Sequence, residues 1–285
     1  MEEQEKQSNG DSTVREQTPH DALVKKAFEN RLLAILFFKL VLPKKLAKKI
    51  NWQTLEPVKD TFVTDRLKRL NLDLLFRVRY YDNTEVCLML LLEHKSYLPD
   101  SDESIDLQLI RYQTAVYTEQ EVQHQLANKA RKEQGHPTRR LKFNRVIPVV
   151  LYHGNRSWNV SSWQEMLSAG GVGEADGLPG LDHSYVLHDL HSKTDAELQS
   201  FYREASQLLM LALCLKHSHD KQFIAKLPRL YALAREVTAP EQAVEIIDAL
   251  GEYLGYLVEP DDYDRVFTIT DDFFAFLEES QDCKL

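Results

Sequence analysis

The sequence predicts an α/β fold, in which a region of strands and helices is followed by a C-terminal α-helical region. Three runs of β-branched, aromatic and aliphatic residues are typical of buried strands and occupy 73–81, 85–92 and 145–152. A long helical pattern at about 104–134 separates the second run from the third. After residue 193 only helical patterns remain, opening with the capping box Thr194-Asp195-Ala196-Glu197.

Local signals mark the other elements. Apolar residues at helical spacing predict one helix from His20 to about Lys39, which Pro43 ends. Pro148 inside its strand indicates a bulge or an edge position, because proline cannot donate to a strand ladder. Further patterns predict a short basic helix at 44–50, a strand at 184–190, and helices at about 194–216, 220–236 and 238–257.

The chain divides into three predicted parts. Residues 1–18 have few apolar residues and no periodicity, so we expect a disordered tail. Residues 19–192 hold all the predicted strands and form the predicted α/β domain. Residues 193–285 form an acidic helical region.

The composition is that of an ordinary globular protein. Of the 285 residues, 43% are apolar and 28% are charged, which excludes a largely disordered or collagen-like chain. The three cysteines are widely spaced and give neither a disulfide framework nor zinc-ligand spacing. Because the sequence shows no signal peptide and no membrane-spanning stretch, we expect a cytoplasmic protein without a membrane partner.

Charge is distributed unevenly along the chain. The formal net charge is −9, but residues 20–145 carry 23 basic and 16 acidic side chains, whereas 146–285 carry 10 and 23. The densest basic segment, 129–145, has seven Lys or Arg residues and one acidic residue. It indicates a polyanionic partner, and the alternative is a solvated surface loop. The acidic end, 259–282, predicts one of two structures. One is a packed terminal helix with Phe267, Phe273, Phe274 and Leu277 on its apolar face, and the other is a segment that competes with the polyanion.

The apolar run Leu90-Leu91-Leu92 continues into the charged residues Glu93-His94-Lys95. Side chains alternate between the faces of a strand, so Glu93 and Lys95 are expected on the same face. A hairpin loop at 82–84 would pair Tyr81 with Glu85 and therefore Asp73 with Glu93. A two-residue loop would shift this register by one residue.

Two carboxylates this close repel each other, and a bound divalent cation would remove the conflict. Mg²⁺ prefers oxygen ligands, so Asp73 and Glu93 are candidate metal ligands and Mg²⁺ is the candidate cofactor. With Lys95 beside them, the group suits phosphodiester hydrolysis, because the metal would activate a water that the lysine orients. The alternative is an exposed ion pair between Glu93 and Lys95.

The predicted long helix carries Gln108 and Tyr112 at positions i and i+4, which lie on one helix face. Arg111 lies beside them. Such a face would contact the site or a DNA phosphate, and the alternative is a helix with mixed polar contacts.

Several short motifs follow one another in a characteristic order. They are Pro19-His20-Asp21, Thr61-Phe62-Val63, Asp73, Leu92-Glu93-His94-Lys95-Ser96, Gln108-Leu109-Ile110-Arg111-Tyr112 and Ile147 to Gly154. In this combination, over about residues 19–190, the sequence resembles the Rpn family of bacterial recombination-promoting nucleases, also called transposases of the YhgA-like type. The family belongs to the PD-(D/E)xK nuclease superfamily, so the resemblance implies a nuclease-like domain over 19–192, with a mixed sheet flanked by helices, and Mg²⁺-dependent DNA cleavage.

Carried over by position, the resemblance implies that Asp73 and Glu93 bind the metal. Lys95 occupies the lysine position of the superfamily, where many Rpn members have glutamine. Gln108 and Tyr112 match the Q-x-x-x-Y pattern found after the core of many such nucleases.

Two other groups have alternative interpretations. His20 and Asp21 match the opening motif of the family, but Asp21 would equally serve to cap a helix. His188, Asp189 and His191 resemble metal ligands, but His188 and Asp189 would face opposite sides of a strand, so we expect a structural role.

The sequence therefore predicts a Mg²⁺-dependent DNA endonuclease that promotes recombination. The alternative is a catalytically inactive DNA-binding or protein-interaction module that keeps the nuclease fold. The predicted catalytic residues are Asp73, Glu93, Lys95, Gln108 and Tyr112. The predicted DNA-binding residues are Arg111, Lys129, Arg131, Lys132, Arg139, Arg140, Lys142 and Arg145.

Overall fold

A five-stranded mixed sheet lies at the centre of the computed structural model, which describes residues 18–58, 74–81, 87–98, 103–167, 181–235, 244–257 and 262–282. In spatial order the strands are β1 (Ile50–Pro57), β2 (Leu74–Tyr80), β3 (Cys87–Lys95), β4 (Val146–Tyr152) and β5 (Val186–Asp189). The pairs β1–β2 and β2–β3 are antiparallel, and the pairs β3–β4 and β4–β5 are parallel. The predicted α/β class with a mixed sheet is confirmed for these residues.

Helices precede, connect and follow the strands. They are α1 (Pro19–Glu29), α2 (Arg31–Val41), α3 (Lys44–Ala47), α4 (Ile105–Glu133), α5 (Trp163–Met166), α6 (Asp195–Phe201), α7 (Ser206–His217), α8 (Phe223–Arg235), α9 (Val244–Leu257) and α10 (Tyr263–Asp282). Within the described ranges, none of these helices combines the length and hydropathy that crossing a membrane requires.

The β2–β3 hairpin has the register that the sequence predicts. Leu74 pairs with Leu92, and the same register continues without a shift to Arg79 and Cys87. The predicted loop 82–84 and Asp73 lie outside the described residues. The six described pairs nevertheless share one register. A slip by one residue would turn every side chain to the other face of the sheet, so this register is strongly specified.

Apolar residues cover both faces of the sheet. On one face Leu75 and Val150 pack with Leu109 and Val116 of α4. On the other face Phe76 and Leu151 join a larger core, which includes residues of α1, α2 and α7–α10. Because side chains alternate along β2 and β4, one sheet supports both clusters. The larger core is continuous across the predicted boundary at residue 193, and the division into domains stays a prediction.

Helix α4 begins and ends where the sequence predicts. The Ser104 hydroxyl accepts a hydrogen bond from the Leu107 amide at 3.1 Å and so caps the first turn. Gly135 follows the helix with a φ of 73°, a left-handed conformation that glycine adopts at little cost.

The predicted single helix over His20–Lys39 is wrong. The side-chain oxygen of Asn30 accepts hydrogen bonds from the Leu32 and Leu33 amides, at 2.9 Å and 3.3 Å. Asn30 therefore ends α1 and caps α2. The apolar periodicity does not show the break, because Phe28 and Leu33 are buried in the same core on either side of it.

Strand β1 was not predicted from the sequence. Its pairing with β2 shifts between Asn51 and Glu56, so its side chains do not alternate regularly. Pro148 of β4 pairs with Leu91 without a register shift, whereas pairing with β5 begins only at Val149. The bulge interpretation of Pro148 is therefore wrong. The edge interpretation is also wrong for the strand, because β4 lies between β3 and β5; Pro148 only precedes the part of β4 that pairs with β5.

Candidate active site

Lys95 is the last residue of β3 and lies in the interior. Only 5% of the surface of Lys95 is exposed to solvent. Its Nζ donates a hydrogen bond to Oε1 of Gln108 at 2.9 Å. A buried ammonium group requires such partners, because removing it from water without them is costly. The alternative of an exposed ion pair at the strand end is thus wrong for Lys95.

Gln108 connects Lys95 to Tyr112. The Gln108 Nε2 donates a hydrogen bond to the Tyr112 hydroxyl at 2.6 Å, while its Oε1 accepts from the lysine. Using both ends of the amide fixes its orientation. Tyr112 is 4% exposed and belongs to the cluster between α4 and the sheet. The spacing of four residues on a helix therefore places both polar groups towards the end of β3.

The strand that ends at Lys95 has parallel β4 beside it. Lys95 pairs with Tyr152, and its carbonyl oxygen accepts a hydrogen bond from the His153 amide at 3.0 Å. Gly154 packs closely against Tyr152, because a Cβ on the glycine would collide with the tyrosine hydroxyl oxygen. The end of β3 is therefore held from both sides, by β4 through the backbone and by α4 through side chains.

The side chains of the two predicted metal ligands lie outside the described part of the chain. Asp73 lies outside the described residues. The backbone of Glu93 pairs with Val150 of β4, but its side chain is outside the description. Among the described residues, no group of three or more His, Cys, Asp or Glu side chains could hold a metal ion. The roles of Asp73 and Glu93 stay predictions.

The predicted DNA-binding residues lie on α4 and on the segment that follows it. Arg111 is exposed on the first half of the helix. The remaining residues occupy the C-terminal end of α4 and the chain up to β4, and only Arg131 is partly buried: Lys129, Arg131, Lys132, Arg139, Arg140, Lys142 and Arg145. Their exposure leaves them accessible to a polyanion, and their binding role stays a prediction.

Two motifs that are distant in the sequence meet through the rings of His20 and His153. The ring centroids of His20 and His153 are 4.9 Å apart, and Nδ1 of His20 lies 2.8 Å from the Tyr253 hydroxyl. Asp21 forms a capping box with Thr18. Of the predicted tail, residues 1–18, the structure describes Thr18 alone. The capping interpretation of Asp21 is therefore confirmed. The contact of His20 with His153 has no local sequence signal.

A buried carboxylate–imidazole pair was missed. Oδ1 of Asp106 lies 2.7 Å from Nδ1 of His183, and both side chains are almost fully buried. Asp106 is two residues before Gln108 on α4, and the pair ties the helix to the segment that leads into β5. His183 also lines a cavity of about 820 Å³ along α4 and the start of β4. Neither residue stands in a recognisable motif, so only the structure reveals the pair.

His188 has the structural role that the sequence predicts. Its Nε2 lies 2.7 Å from the Tyr202 hydroxyl, and burial lowers the pKa of His188 to about 3, with a smaller contribution from the Lys193 charge. Asp189 accepts hydrogen bonds from the His191 and Ser192 amides, at 2.8 Å and 3.2 Å, and so closes a turn.

Comparison with known proteins agrees with the resemblance inferred from the motifs. A family model described as "Putative transposase, YhgA-like" matches residues 18–245. The recombination-promoting nuclease RpnD of Escherichia coli O157:H7 is 25% identical over 219 residues, which cover 76% of this chain and 74% of that protein. No solved structure matches the chain. Because the family model spans most of the sequence, this protein belongs to the family of YhgA-like transposases.

Proposed function

We propose that this protein is a Mg²⁺-dependent DNA endonuclease that acts in recombination. The observation that carries the proposal is the buried Lys95, which follows Glu93 at the end of a central strand and is held there by Gln108. An ammonium group placed beside carboxylates is suited to phosphoryl chemistry, because the developing charge on the phosphate needs a fixed cation. The name of the related protein RpnD, a recombination-promoting nuclease, supports the same activity.

The arrangement of the sheet supports a PD-(D/E)xK nuclease fold. An antiparallel hairpin, β2–β3, is followed by α4 and by a strand parallel to β3. This is the mixed sheet that the family resemblance implies. The proposed site lies where β3 ends, beside α4.

The carboxylates fit a Mg²⁺ site by their chemistry and by their positions in the chain. Asp73 directly precedes Leu74, and Glu93 directly follows Leu92, the residue with which Leu74 pairs. Continuing the register by one residue would set the two carboxylates opposite each other. Their oxygens are the ligand type that Mg²⁺ prefers. When bound there, the metal would polarise the scissile phosphate and lower the pKa of a water.

The residues around Lys95 would act by fixing its charge. In an interior position the lysine interacts with a phosphate more strongly than it would in water, because the local dielectric constant is lower. Gln108 directs the ammonium group, and Tyr112 directs Gln108. In this proposal Lys95 contacts the phosphate or the attacking water, whereas Gln108 and Tyr112 are positioning residues.

DNA is the proposed substrate because basic side chains extend along α4 and beyond it. Each phosphate that Lys or Arg neutralises releases counterions, so such a row would bind a nucleic-acid backbone without reading its sequence. The exposed residues Arg139, Arg140 and Lys142 are the strongest candidates.

The second candidate function is a catalytically inactive module that keeps the nuclease fold. It is favoured by the mutual hydrogen bonds of Lys95, Gln108 and Tyr112, since such bonds would also serve a purely structural purpose. Plasmid nicking by the purified full chain separates the two. We expect nicked circles with Mg²⁺, none with EDTA and few with Lys95→Ala. Retained DNA binding without any Mg²⁺-dependent nicking would leave the inactive module as the function.

A further inference from the structure

The chain turns back along α4 after Gly135. All buried residues of this helix lie between Ile105 and Gln120, so its second half projects beyond the core. The segment 137–146, which contains four of the eight predicted DNA-binding residues, runs beside this projecting half. We call the second half of α4 together with 137–146 the basic arm.

Side chains on one stripe of α4 bind the backbone of 137–146. Their spacing is three or four residues, so they lie on one face of the helix. The stripe contacts carbonyl or amide groups at Pro137, Arg139, Asn144 and Val146. It consists of Gln113, Tyr117, Gln120, His124, Asn128 and Arg131.

Two side chains of the stripe each form two hydrogen bonds with the backbone of a single residue. Asn128 donates from Nδ2 to the Arg139 carbonyl at 2.9 Å, and its Oδ1 accepts from the Arg139 amide at 2.8 Å. Gln120 makes the same pair of bonds with Asn144, at 3.2 Å and 2.6 Å. A side-chain amide carries the same donor and acceptor as a peptide group. The helix therefore supplies the pairing that a neighbouring strand would supply in a sheet.

The stripe fixes the backbone and leaves the charges outside. Arg139, Arg140, Lys142 and Arg145 are exposed. Phe143 is also exposed, although its ring contacts that of Tyr117 with the centroids 5.5 Å apart. A segment that is already ordered loses little conformational freedom when it binds a partner. A solubilising loop would not need this many specific backbone contacts.

We propose that the basic arm is a preformed binding element for the phosphate backbone of duplex DNA, in which Asn128 and Gln120 are positioning residues. The inference rests on the proposed function, because it takes DNA as the partner. It adds that affinity depends on uncharged helix residues that hold the basic segment in place.

The test is binding of a labelled duplex by the full chain in EDTA, over a range of salt concentrations. We expect Asn128→Ala to weaken binding about 3- to 10-fold, which is the cost of ordering about one further side chain on binding. The slope of log K against log salt should not change, because no charge is removed. Helix melting would not explain the result, since alanine has the highest helix propensity.

Three variants serve as controls. Arg139→Ala combined with Arg140→Ala should reduce the salt slope by about two, one for each phosphate that is no longer neutralised. Gln125→Ala, at an exposed amide on the same helix, should bind like the wild type. Asn128→Gln should recover part of the affinity, because it keeps both the donor and the acceptor.

Trypsin provides a readout that needs no DNA. Cleavage after Arg139 and Arg140 should be faster in Asn128→Ala than in the wild type, because the segment is less firmly held. Wild-type affinity or wild-type protection in Asn128→Ala would overturn this inference while the proposed function stands. A wild-type chain that does not bind duplex DNA at low salt would overturn the proposed substrate and this inference together.

Discussion

The Nζ atom of Lys95 and the Oε1 atom of Gln108 are 2.9 Å apart, so a hydrogen bond joins the end of β3 to the first turn of α4. The contact explains how a lysine is accommodated in the interior at the end of a strand. It also means that the two residues depend on each other. Loss of either would leave a polar group of the other without one of its partners, at a cost of about 1–3 kcal/mol.

The first prediction concerns the charge of Lys95. We expect Lys95→Gln to keep measurable Mg²⁺-dependent nicking and Lys95→Ala to keep less, because glutamine retains a donor whereas alanine retains neither donor nor charge. The glutamine found in many Rpn relatives motivates the comparison. Initial nicking rates at saturating Mg²⁺ test it. Equally poor cleavage by both variants would mean that the charge itself is required.

The second prediction concerns Tyr112. Tyr112→Phe removes the hydroxyl that receives the Gln108 hydrogen bond and keeps the ring in its cluster. We expect a loss of about 1 kcal/mol in the free energy of unfolding and a severalfold lower nicking rate, with DNA affinity unchanged. Urea titration and nicking kinetics measure the two effects. Tyr256→Phe, at an exposed tyrosine of α9, is the matched control, and an equal loss of nicking in both variants would contradict the assignment.

The third prediction concerns the carboxylates. Asp73→Ala and Glu93→Ala should each abolish Mg²⁺-dependent nicking and leave the fold intact. Without metal their free energy of unfolding should hold or rise, since removing one carboxylate relieves repulsion. Glu29→Ala, at an exposed carboxylate of α1, should behave like the wild type. Full activity in Asp73→Ala would refute the proposed metal site.

Local signals in the sequence predict the elements around the site well. The β2–β3 register follows from one turn and two apolar runs, so Leu74 and Leu92 are paired as expected. Ser104 and Gly135 mark the ends of α4, because capping depends on a few neighbouring residues.

Features that depend on tertiary contacts could not be predicted. The burial of Lys95 and the meeting of His20 with His153 require the folded sheet. The stripe on α4 contains one arginine, Arg131, and otherwise polar residues such as Gln120 and Asn128, which resemble an ordinary solvated helix face. Only the position of the returning segment shows that they bind its backbone.

The fourth prediction follows from the buried His188. Its pKa is about 3 in the folded protein and close to 6.5 in the unfolded chain, because burial disfavours the charged form. Between these values the unfolded chain binds more protons than the folded protein. The stabilising contribution is therefore complete above pH 6.5 and is lost as the pH falls, by up to about 1.4 kcal/mol per pH unit.

The measurement is the free energy of unfolding at several pH values for the wild type and for His188→Gln. Glutamine cannot titrate but can still accept a hydrogen bond from the Tyr202 hydroxyl. We expect the wild type to lose more stability than the variant between about pH 6.5 and pH 4. Parallel curves would show that His188 does not control this pH dependence.

The last prediction concerns the acidic terminal helix α10. Val266 and Thr270 are buried against the rest of the protein, and the Thr270 hydroxyl lies 3.0 Å from that of Tyr231 in α8. Phe267 is 52% exposed, so the expectation that it lies on the packed apolar face is wrong. The packing nevertheless favours a structural helix over a segment that competes with DNA.

Truncation after Leu257 tests this. We expect a lower free energy of unfolding, because the apolar burial that α10 contributes is lost. Burial of one side chain such as Val266 is worth about 1.5–3 kcal/mol, and the whole face is worth more. Duplex affinity should not increase. If the acidic segment instead competes for the basic residues, the truncated protein should bind DNA more tightly than the full chain, most clearly at low salt, where charges are screened least. A stable truncated protein with that salt-dependent gain would contradict the packed-helix interpretation.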